Sequence, residues 1–482
     1  MTNNRRNSFL KSITIFSVVV CLLLNFVFFL LQANNAISIG FYIYVICYIV
    51  CFLYFVVSVF LIKTKGFFTI PNILWLCLFV FGLSRVYMYI FGLFNFRSAE
   101  YGILGTFVWK DETTIQVLNY YLIFMCAFSI CIIAIRVNHS KARMVIYDKK
   151  CNNILLILFY ISAFFTALYF ALKAALVVRL GYASIYNGDT NGSIPFERVF
   201  SLFRLLFVVS YYFVIAYDTR KSIYKTTTIL FLIINGIALI QGSRAEFLIY
   251  LLASLCIYYY RFGRQFRTFT VVLTFVIGIP VLEFISYFRS GFSIGPSFLK
   301  DCYVEFFTEL SGSFNVPAFY LQNKEALSIN TYPYIFEPLV KVIQYFQNIR
   351  IYGGGQTTEM AKIRFNLGHQ ITFLISPDYY LQGHNFASNF IAEMSEFGFF
   401  GVVLFSFVVS LLVLFIEKRI IAGSKYWTFM SFELCMWIFF LPRGSAFYDT
   451  YNILKFGLIF LVGSFVFDKR RKEKTNNQCI WA

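Results

Sequence analysis

The sequence predicts an all-α integral membrane protein that crosses the bilayer many times. Of its 482 residues, 59% are hydrophobic and only 13% are charged, whereas about a quarter of the residues of a soluble chain are charged. Phenylalanine and tyrosine are abundant, at 63 and 34 residues, and proline is scarce, at 9. This composition is typical of long helices in lipid with aromatic residues at their ends.

Apolar runs of about 20 residues, the length that crosses a bilayer, predict about twelve transmembrane helices. They are Ser12–Leu31, Ile39–Ile62, Ile73–Phe94, Ile115–Ile135, Asn153–Val178, Val199–Tyr217, Thr227–Ile240, Ala245–Tyr260, Thr268–Tyr287, Phe397–Ile416, Tyr426–Leu441 and Asn452–Phe467. The first run has a basic start like that of a signal peptide. We interpret it as a retained span, because no small-x-small cleavage site follows it and it is longer than a signal core.

Alternate connections between these spans are strongly basic, and this alternation predicts an orientation. The basic connections contain Arg5, Arg6 and Lys11; Lys63 and Lys65; Arg136 to Lys150; Arg220 to Lys225; Arg261 to Arg267; Lys418 to Lys425; and Lys469 to Lys474. Because cytoplasmic loops are enriched in lysine and arginine, we predict that these connections and both termini are cytoplasmic. The formal net charge of +18 then reflects topology, and we expect no nucleic acid partner.

Several kinds of site are not indicated by the sequence. Most of the eleven cysteines fall in predicted spans, where they act as small apolar residues, and no Cys/His spacing resembles a zinc site. A Walker A glycine loop is missing, so nucleotide-driven transport is not expected. No acidic cluster has metal-ligand spacing. We therefore expect no metal and no other cofactor.

One long interruption of the hydrophobicity divides the chain into three parts. Residues 1–287 hold nine predicted spans, 288–396 form a large external loop that ends in an amphipathic helix, and 397–482 hold three more spans and a basic tail. If residues 385–400 are helical, their polar side chains share one side of the helix: His384, Asn385, Ser388, Asn389, Glu393, Ser395 and Glu396. We expect this side to face a wet cavity and the opposite, apolar side to face protein or lipid.

Two aromatic stretches inside the large loop, 332–336 and 373–380, are semi-apolar. Such stretches suit helices that lie on or dip into the membrane surface, with rings that could stack on sugars.

Several charged residues on the predicted external side point to an anion site. Arg244 lies in the turn directly before the eighth span. A cation there opposes both the helix dipole and the topology rule, but a helix start with an added arginine can hold a phosphate. The pair Ser243 and Glu246 also fits a simple capping box. Arg289 follows the ninth span, where a snorkelling cation is the simpler interpretation.

Acids and bases within spans also need partners. An intramembrane carboxylate such as Glu283 usually faces a cavity or pairs with a base, which makes it a functional candidate. The same reasoning covers Arg85, Arg204 and Glu433, although salt bridges among them would satisfy it equally well, and the sequence does not indicate the pairs.

The layout and two short motifs resemble the Wzy-type O-antigen polymerases of bacterial inner membranes. Gly242, Ser243 and Arg244 look like the Gly-Ser-Arg element of that family at an external helix start. The stretch Glu393–Gly401 looks like its acidic, Phe-Gly-x-x-Gly segment before the span that follows the large loop. His384 and Asn385 are also similar to the His-Asn element of the related O-antigen ligases. The resemblance implies a GT-C-like membrane fold.

The resemblance also implies a reaction and its participants. A glycan would leave undecaprenyl diphosphate and join a sugar hydroxyl of another undecaprenyl-diphosphate-linked repeat unit at the periplasmic face. The chemistry needs cations for the diphosphate and a base for the hydroxyl. Candidates for the cations are Arg244, Arg289, Arg443 and Arg350; candidates for the base are His384, Glu393 and Glu283. Membrane lipid is an expected partner, and a chain-length regulator is a further candidate.

Three other functions are open at this point. An O-antigen ligase would use the same donor, and the His-Asn element favours it, whereas the two motifs above favour the polymerase. A lipid-linked oligosaccharide flippase would be expected to show repeated halves, which the sequence lacks. A structural scaffold would not need several external arginines.

Overall fold

The structure is a computed structural model that describes most of the chain. The described residues are 3–33, 68–93, 98–100, 106–108, 110–135, 153–180, 194–241, 244–263, 268–290, 298–327, 333–346, 356–363, 365–381, 386, 388–447 and 450–479. The predicted span Ile39–Ile62 lies outside these residues, as do the predicted site residues His384 and Arg350.

Twenty α-helices account for nearly all of the described chain. They are α1 Asn3–Ala33, α2 Ile70–Cys77, α3 Ser84–Ile90, α4 Asp111–Ala134, α5 Asn153–Leu180, α6 Glu197–Tyr217, α7 Lys221–Ile237, α8 Arg244–Phe262, α9 Thr268–Ser290, α10 Phe298–Leu310, α11 Asn315–Gln322, α12 Lys324–Leu327, α13 Glu337–Phe346, α14 Thr358–Ile363, α15 Leu367–Ile375, α16 Pro377–Leu381, α17 Phe390–Ser395, α18 Gly398–Ile421, α19 Lys425–Phe440 and α20 Thr450–Cys479. A π-helix, Leu78–Leu83, joins α2 to α3. Short 3-10 turns cover Ala238–Gln241, Ser311–Phe314, Tyr334–Phe336 and Leu441–Arg443.

The described β-structure is one small hairpin. Strand β1, Ser98–Glu100, pairs antiparallel with β2, Thr106–Val108, and Ala99 lies opposite Phe107.

Within the described residues, eight helical segments are long and apolar enough to cross a membrane. They are Ser12–Leu31, Ile70–Tyr89, Asp111–Ala134, Asn153–Leu180, Glu197–Tyr217, Lys221–Ile240, Arg244–Phe262 and Gly398–Ile421. The predicted spans near 268–287, 426–441 and 452–467 are also helical, as α9, α19 and α20, but their apolar lengths are shorter. The protein is therefore an all-α, multi-pass membrane protein.

Local sequence accounts for where several helices begin. Pro71 stands in the first turn of α2, where its missing N–H costs nothing. Asp111 and Glu112 occupy the first turn of α4 and complement its positive end. Ser424 caps α19, and its side-chain oxygen accepts a hydrogen bond from the Trp427 amide.

Helix α4 and the segment α2 to α3 form the centre of the fold. In the apolar stretch of α4, 83% of the residues are buried, and in that of the α2 to α3 segment 89% are buried. In the apolar stretch of α1, only 11% are buried. Helix α4 packs against α1 and α18, and α19 packs against α6 and α8. Helix α5 packs along α6, and several of its side chains are exposed, including Phe164 and Leu168.

The described part of the predicted loop contributes to this core. None of its described helices, from α10 to α17, is long enough to span a membrane. Its turn Ser311–Phe314 packs on the π-helix, and the Ser313 hydroxyl donates a hydrogen bond of 2.6 Å to the Phe81 carbonyl. A π-helix changes the backbone hydrogen-bond register, and here a side chain from the loop bonds a carbonyl within it.

Contacts between helix ends follow the alternation of the basic connections. We call the ends that adjoin those connections in sequence the basic ends. The Ile70 amide donates to the Tyr260 hydroxyl at 2.7 Å, and that hydroxyl in turn donates to the Glu417 carboxylate; all three lie at basic ends. At the opposite ends, Arg244 contacts Glu283 and Asn389 contacts Pro442.

Candidate functional site

Asn389 is the centre of a buried junction at the opposite ends of the helices. Its side-chain amide nitrogen lies 3.0 Å from the Tyr121 hydroxyl, 3.2 Å from the Ser313 carbonyl and 3.0 Å from the Pro442 carbonyl. Its side-chain oxygen accepts from the Ile391 amide and caps α17. One side chain thus joins α4, the loop turn, the turn after α19 and α17.

Glu393, one turn further along α17, links two segments that flank this junction. Its Oε1 accepts a hydrogen bond of 2.7 Å from the Ser388 hydroxyl. Its Oε2 accepts from the Ser445 hydroxyl at 3.0 Å and from the Ala446 amide at 2.8 Å. The side chain is fully buried. We call this set of contacts the Glu393 clasp.

The surroundings of Glu393 favour its neutral form. Burial raises its pKa from 4.5 to about 8, although the hydrogen bonds from Ser388, Ala446 and Ser445 oppose this shift. At neutral pH the carboxyl group is therefore mostly protonated, and its hydroxyl can donate to Ser388, since serine can also accept. A buried neutral acid that satisfies its neighbours is suited to holding structure.

Glu396 ties the same region to the loop. Its carboxylate accepts from the Tyr320 hydroxyl at 3.1 Å and from the Tyr334 amide at 2.9 Å. This contact fixes the turn Tyr334–Phe336 beside the start of α18.

The predicted continuous helix over 385–400 is wrong in the described residues. Asn389 is extended, with φ −144° and ψ 129°, and α17 ends at Ser395 before a new helix starts at Gly398. Gly398 has φ +63°, which glycine adopts without strain, and a Cβ on Gly401 would collide with Phe397. The chain therefore turns between α17 and α18.

The predicted wet face of this segment is also wrong. Ser388, Asn389, Glu393 and Ser395 are all buried. The turns 311–315 and 441–446 supply hydrogen-bond partners for Asn389 and Glu393, whereas Ser388 and Ser395 bond within their own segment. Helix α17 is thus buried on every side and is not amphipathic in its surroundings. Sequence periodicity cannot distinguish a polar face in water from one bonded to protein.

Arg244 and Glu283 form an ion pair at the start of α8 and near the end of α9. Their Nη1 and Oε1 atoms are 2.6 Å apart, with side-chain exposures of 13% and 1%. A buried carboxylate needs such a partner, because an unpaired charge there is costly. The sequence placed both residues among the candidates, and the structure brings them together.

Two further ion pairs lie beside helix ends of the same side. Lys173 pairs with Glu197 at 3.1 Å across α5 and α6, and Arg204 pairs with Glu246 at 3.5 Å across α6 and α8. With Arg244 and Glu283, these pairs form what we call the charged row, which runs across α5, α6, α8 and α9. Lys173 and Glu197 were not among the sequence candidates, and no motif in the sequence marks them.

The other candidate residues occupy different places. Arg443 ends the turn Leu441–Arg443, two residues before the Glu393 clasp, and it is half-buried. Arg289 lies in the last turn of α9, and its side chain is outside the described part of the structure. Glu433 accepts from the Tyr212 hydroxyl at 2.9 Å, and the Arg85 Nε donates to the Thr308 carbonyl at 2.7 Å.

The described residues contain no group of three or more His, Cys, Asp or Glu side chains that could hold a metal ion. Among the described residues, the charged groups of the charged row are guanidinium, ammonium and carboxyl groups.

Comparison with known proteins identifies the family. Neither the curated proteins nor the solved structures give a match. The sequence profile of the O-antigen polysaccharide polymerase Wzy family matches residues 13–472, nearly the whole chain. The match includes the charged row, the junction at Asn389 and the Glu393 clasp. The chain therefore belongs to the O-antigen polysaccharide polymerase Wzy family.

Proposed function

We propose that this protein polymerises O-antigen at the periplasmic face of the bacterial inner membrane. It transfers a glycan from undecaprenyl diphosphate to a sugar hydroxyl of another undecaprenyl-diphosphate-linked repeat unit. Family membership supports the polymerase, and the basic connections support a periplasmic location for the opposite ends of the helices. The proposal includes cytoplasmic termini, about twelve spans, a GT-C-like fold and a periplasmic segment at 288–396.

The ion pair between Arg244 and Glu283 is the observation that carries this proposal. Arg244 begins a 19-residue helix, whose N-terminal end carries partial positive charge. The buried Glu283 holds the guanidinium in place at 2.6 Å, so the group is already oriented when an anion arrives. Arg244 keeps 13% of its side chain exposed, and a guanidinium is a strong hydrogen-bond donor to phosphate oxygens.

The reaction breaks the bond between the anomeric carbon and the diphosphate oxygen and forms one to the acceptor oxygen. The acceptor proton passes to a base, and undecaprenyl diphosphate leaves with the bonding electrons. Arg244 stabilises the charge that develops on the diphosphate, and Arg289, Arg443 and Arg350 are further cations for it. No nucleotide is consumed, because the donor is already activated.

We assign the base to His384, whose unperturbed pKa of about 6.5 suits proton transfer at neutral pH. Glu283 and Glu393 receive different roles, because donors from the protein occupy Oε1 of Glu283 and both carboxyl oxygens of Glu393. Glu283 orients Arg244. Glu393 positions the turn that carries Arg443. A chain-length regulator is a further proposed partner, and membrane lipid surrounds the spans.

The lipopolysaccharide banding pattern tests this function. A host that lacks the gene should show lipid A-core with one repeat unit, and the wild-type chain should restore the ladder. Arg244→Ala should not restore it. Arg419→Ala is the matched control, because Arg419 is exposed near the basic end of α18, and it should behave as wild type. Core without any repeat unit in the deletion host would instead indicate a ligase or a flippase.

A further inference from the structure

Helix α13 presents an apolar stripe away from the protein. Leu339, Val342, Ile343 and Phe346 are 61%, 53%, 51% and 78% exposed. At 3.6 residues per turn, these four positions fall within an arc of about 100°. Phe336, in the turn before the helix, is 42% exposed and extends the stripe. We call these five residues the α13 stripe.

The other side of α13 is fixed to the protein. Glu337 is buried and accepts a hydrogen bond of 2.8 Å from the Asn366 side chain. Lys341 forms an ion pair with Glu337 one turn away, and Val340 packs against the core. The orientation of the helix is therefore set by its polar edge, and the exposure of the stripe is not the result of a loose helix.

This part of the loop was expected to contact the membrane through different residues. The aromatic stretches 332–336 and 373–380 were predicted to lie on the membrane surface. That prediction is wrong for Tyr334 and Tyr380, which are 2% and 0% exposed. Tyr334 stacks on Phe365, and Tyr380 packs against His369. Most of the exposed apolar side chains near 332–336 lie on the helix that follows, α13, while Phe336 and Leu374 within the two stretches are 42% and 44% exposed.

Helix α13 lies close to the start of α18, the point at which that span enters the bilayer. The Tyr334 amide bonds to Glu396 at 2.9 Å, two residues before α18 begins, and α13 begins three residues after Tyr334. Three residues reach at most about 10 Å, and the ten-residue helix itself is about 15 Å long. Phe397, which directly precedes α18, and Phe400 in its first turn are 44% and 72% exposed, so apolar surface is present at the start of that span as well.

We propose that α13 is an interfacial helix, which inserts its stripe into the lipid leaflet where α18 begins. An apolar stripe opposite a polar edge is the pattern of helices that lie in the membrane interface, and the neighbouring surface of α18 already belongs to a membrane span. Lipid is therefore the partner we assign to the stripe, because the neighbouring surface of α18 also faces lipid. The inserted helix holds the 298–396 segment at the membrane surface. This inference does not depend on the proposed reaction.

Site-directed photocrosslinking tests the proposal in the full chain. A benzophenone amino acid replaces Leu339 in one variant and Ile343 in another. Cells that express each variant are irradiated, and the mass of the purified protein is measured by mass spectrometry. Glu359 provides the matched control, because it is exposed on the short helix α14 outside the stripe. Elution as wild type in size-exclusion chromatography verifies that each variant is folded.

The expected result is a phospholipid adduct at positions 339 and 343 and none above background at 359. A crosslinked dimer at 339 and 343 would overturn the proposal and assign the stripe to a second copy. A crosslink there to another protein would overturn it in favour of a partner. Equal labelling at all three positions, or no labelling at 339 and 343, would also overturn it.

Discussion

Glu283 and Glu393 are buried carboxyl groups with different partners and different consequences. Glu283 bonds to a guanidinium that remains partly accessible. Glu393 bonds to two hydroxyls and a backbone amide, all buried. In the proposed function, the first arrangement orients a cation toward an incoming anion, whereas the second joins two turns of the chain.

Removing Arg244 should affect both stability and function, and a double variant separates them. Arg244→Ala leaves Glu283 buried without its ion-pair partner, so it should cost about 3–5 kcal/mol and abolish polymerisation. The additional change Glu283→Gln removes the buried charge and should recover most of the thermal stability in detergent. The double variant should still make no polymer. Recovery of the ladder along with stability would show that Arg244 has only a structural role.

Glu393→Gln distinguishes a positioning residue from a base. Glutamine keeps the shape and can donate to Ser388 while it accepts from Ser445 and Ala446, so polymerisation should persist. Glu393→Ala should cost about 2–4 kcal/mol, because it removes three buried hydrogen bonds. Loss of the ladder in a stably folded Glu393→Gln protein would instead identify Glu393 as the base.

The pKa of Glu393 also predicts a pH dependence of stability. Because burial raises this pKa from 4.5 to about 8, the folded state retains a proton between these values that the unfolded state loses. The contribution of Glu393 is then full below about pH 4.5 and is lost as the pH rises through 8. Relative to wild type, Glu393→Gln should gain thermal stability as the pH rises from about 5 to about 8. A constant difference across this range would contradict the assignment.

At the scale of elements, the break between α17 and α18 determines the geometry of the site. Asn389 caps α17 while its amide group bonds to α4 and to two turns. Gly398, with its positive φ, lets α18 start in a new direction. The segment therefore acts as a joint between the loop and the membrane helices.

Asn389→Asp tests whether this residue serves only as a cap. Aspartate caps helices as well as asparagine does, so a simple cap would tolerate the change. Here a carboxylate would face the carbonyls of Ser313 and Pro442 with no proton to share. We expect Asp to lower stability by about 2–4 kcal/mol, more than Asn389→Ala does. Thermal unfolding in detergent measures the difference. Equal stability of the Asn389→Asp variant and the wild-type protein would contradict the proposed role of Asn389 in joining the four segments.

The sequence allowed the helices to be predicted better than their contacts. Apolar length placed helices at α4 to α9 and α18 to α20, because lipid requires each span to satisfy its own backbone. The helix at 385–400 was mispredicted, because the partners of Asn389 lie 53 to 268 residues away. The pairing of Arg204 with Glu246 could not be predicted for the same reason, since charge alone does not specify which of several partners is near.

At the scale of the whole molecule, the helix ends form two sets, the basic ends and the opposite ends. The contacts described above join ends of the same set. Arg261 donates to the Asp218 carbonyl at 3.1 Å at the basic ends, while the charged row and the Glu393 clasp lie at the opposite ends. The family match over residues 13–472 includes both sets. The proposed orientation places the candidate site on the periplasmic side.

Cysteine labelling in spheroplasts tests this orientation. Thr357→Cys and Ser222→Cys are both at exposed positions, one beside α14 and the other at the basic end of α7. A membrane-impermeant maleimide should label position 357 in intact spheroplasts and position 222 only after permeabilisation, because a charged reagent does not cross the bilayer. The unmodified chain supplies the background from native cysteines. The reverse pattern would invert the topology.

The most direct test of the central claim is polymerisation by the purified chain. Proteoliposomes that contain this protein and a single kind of undecaprenyl-diphosphate-linked repeat unit should produce a ladder of glycans, each one repeat unit longer than the last. Each step should release one undecaprenyl diphosphate, without nucleotide. Arg244→Ala/Glu283→Gln proteoliposomes should form none. Absence of a ladder from folded wild-type protein supplied with its native repeat unit would contradict the account, as would transfer only to added lipid A-core.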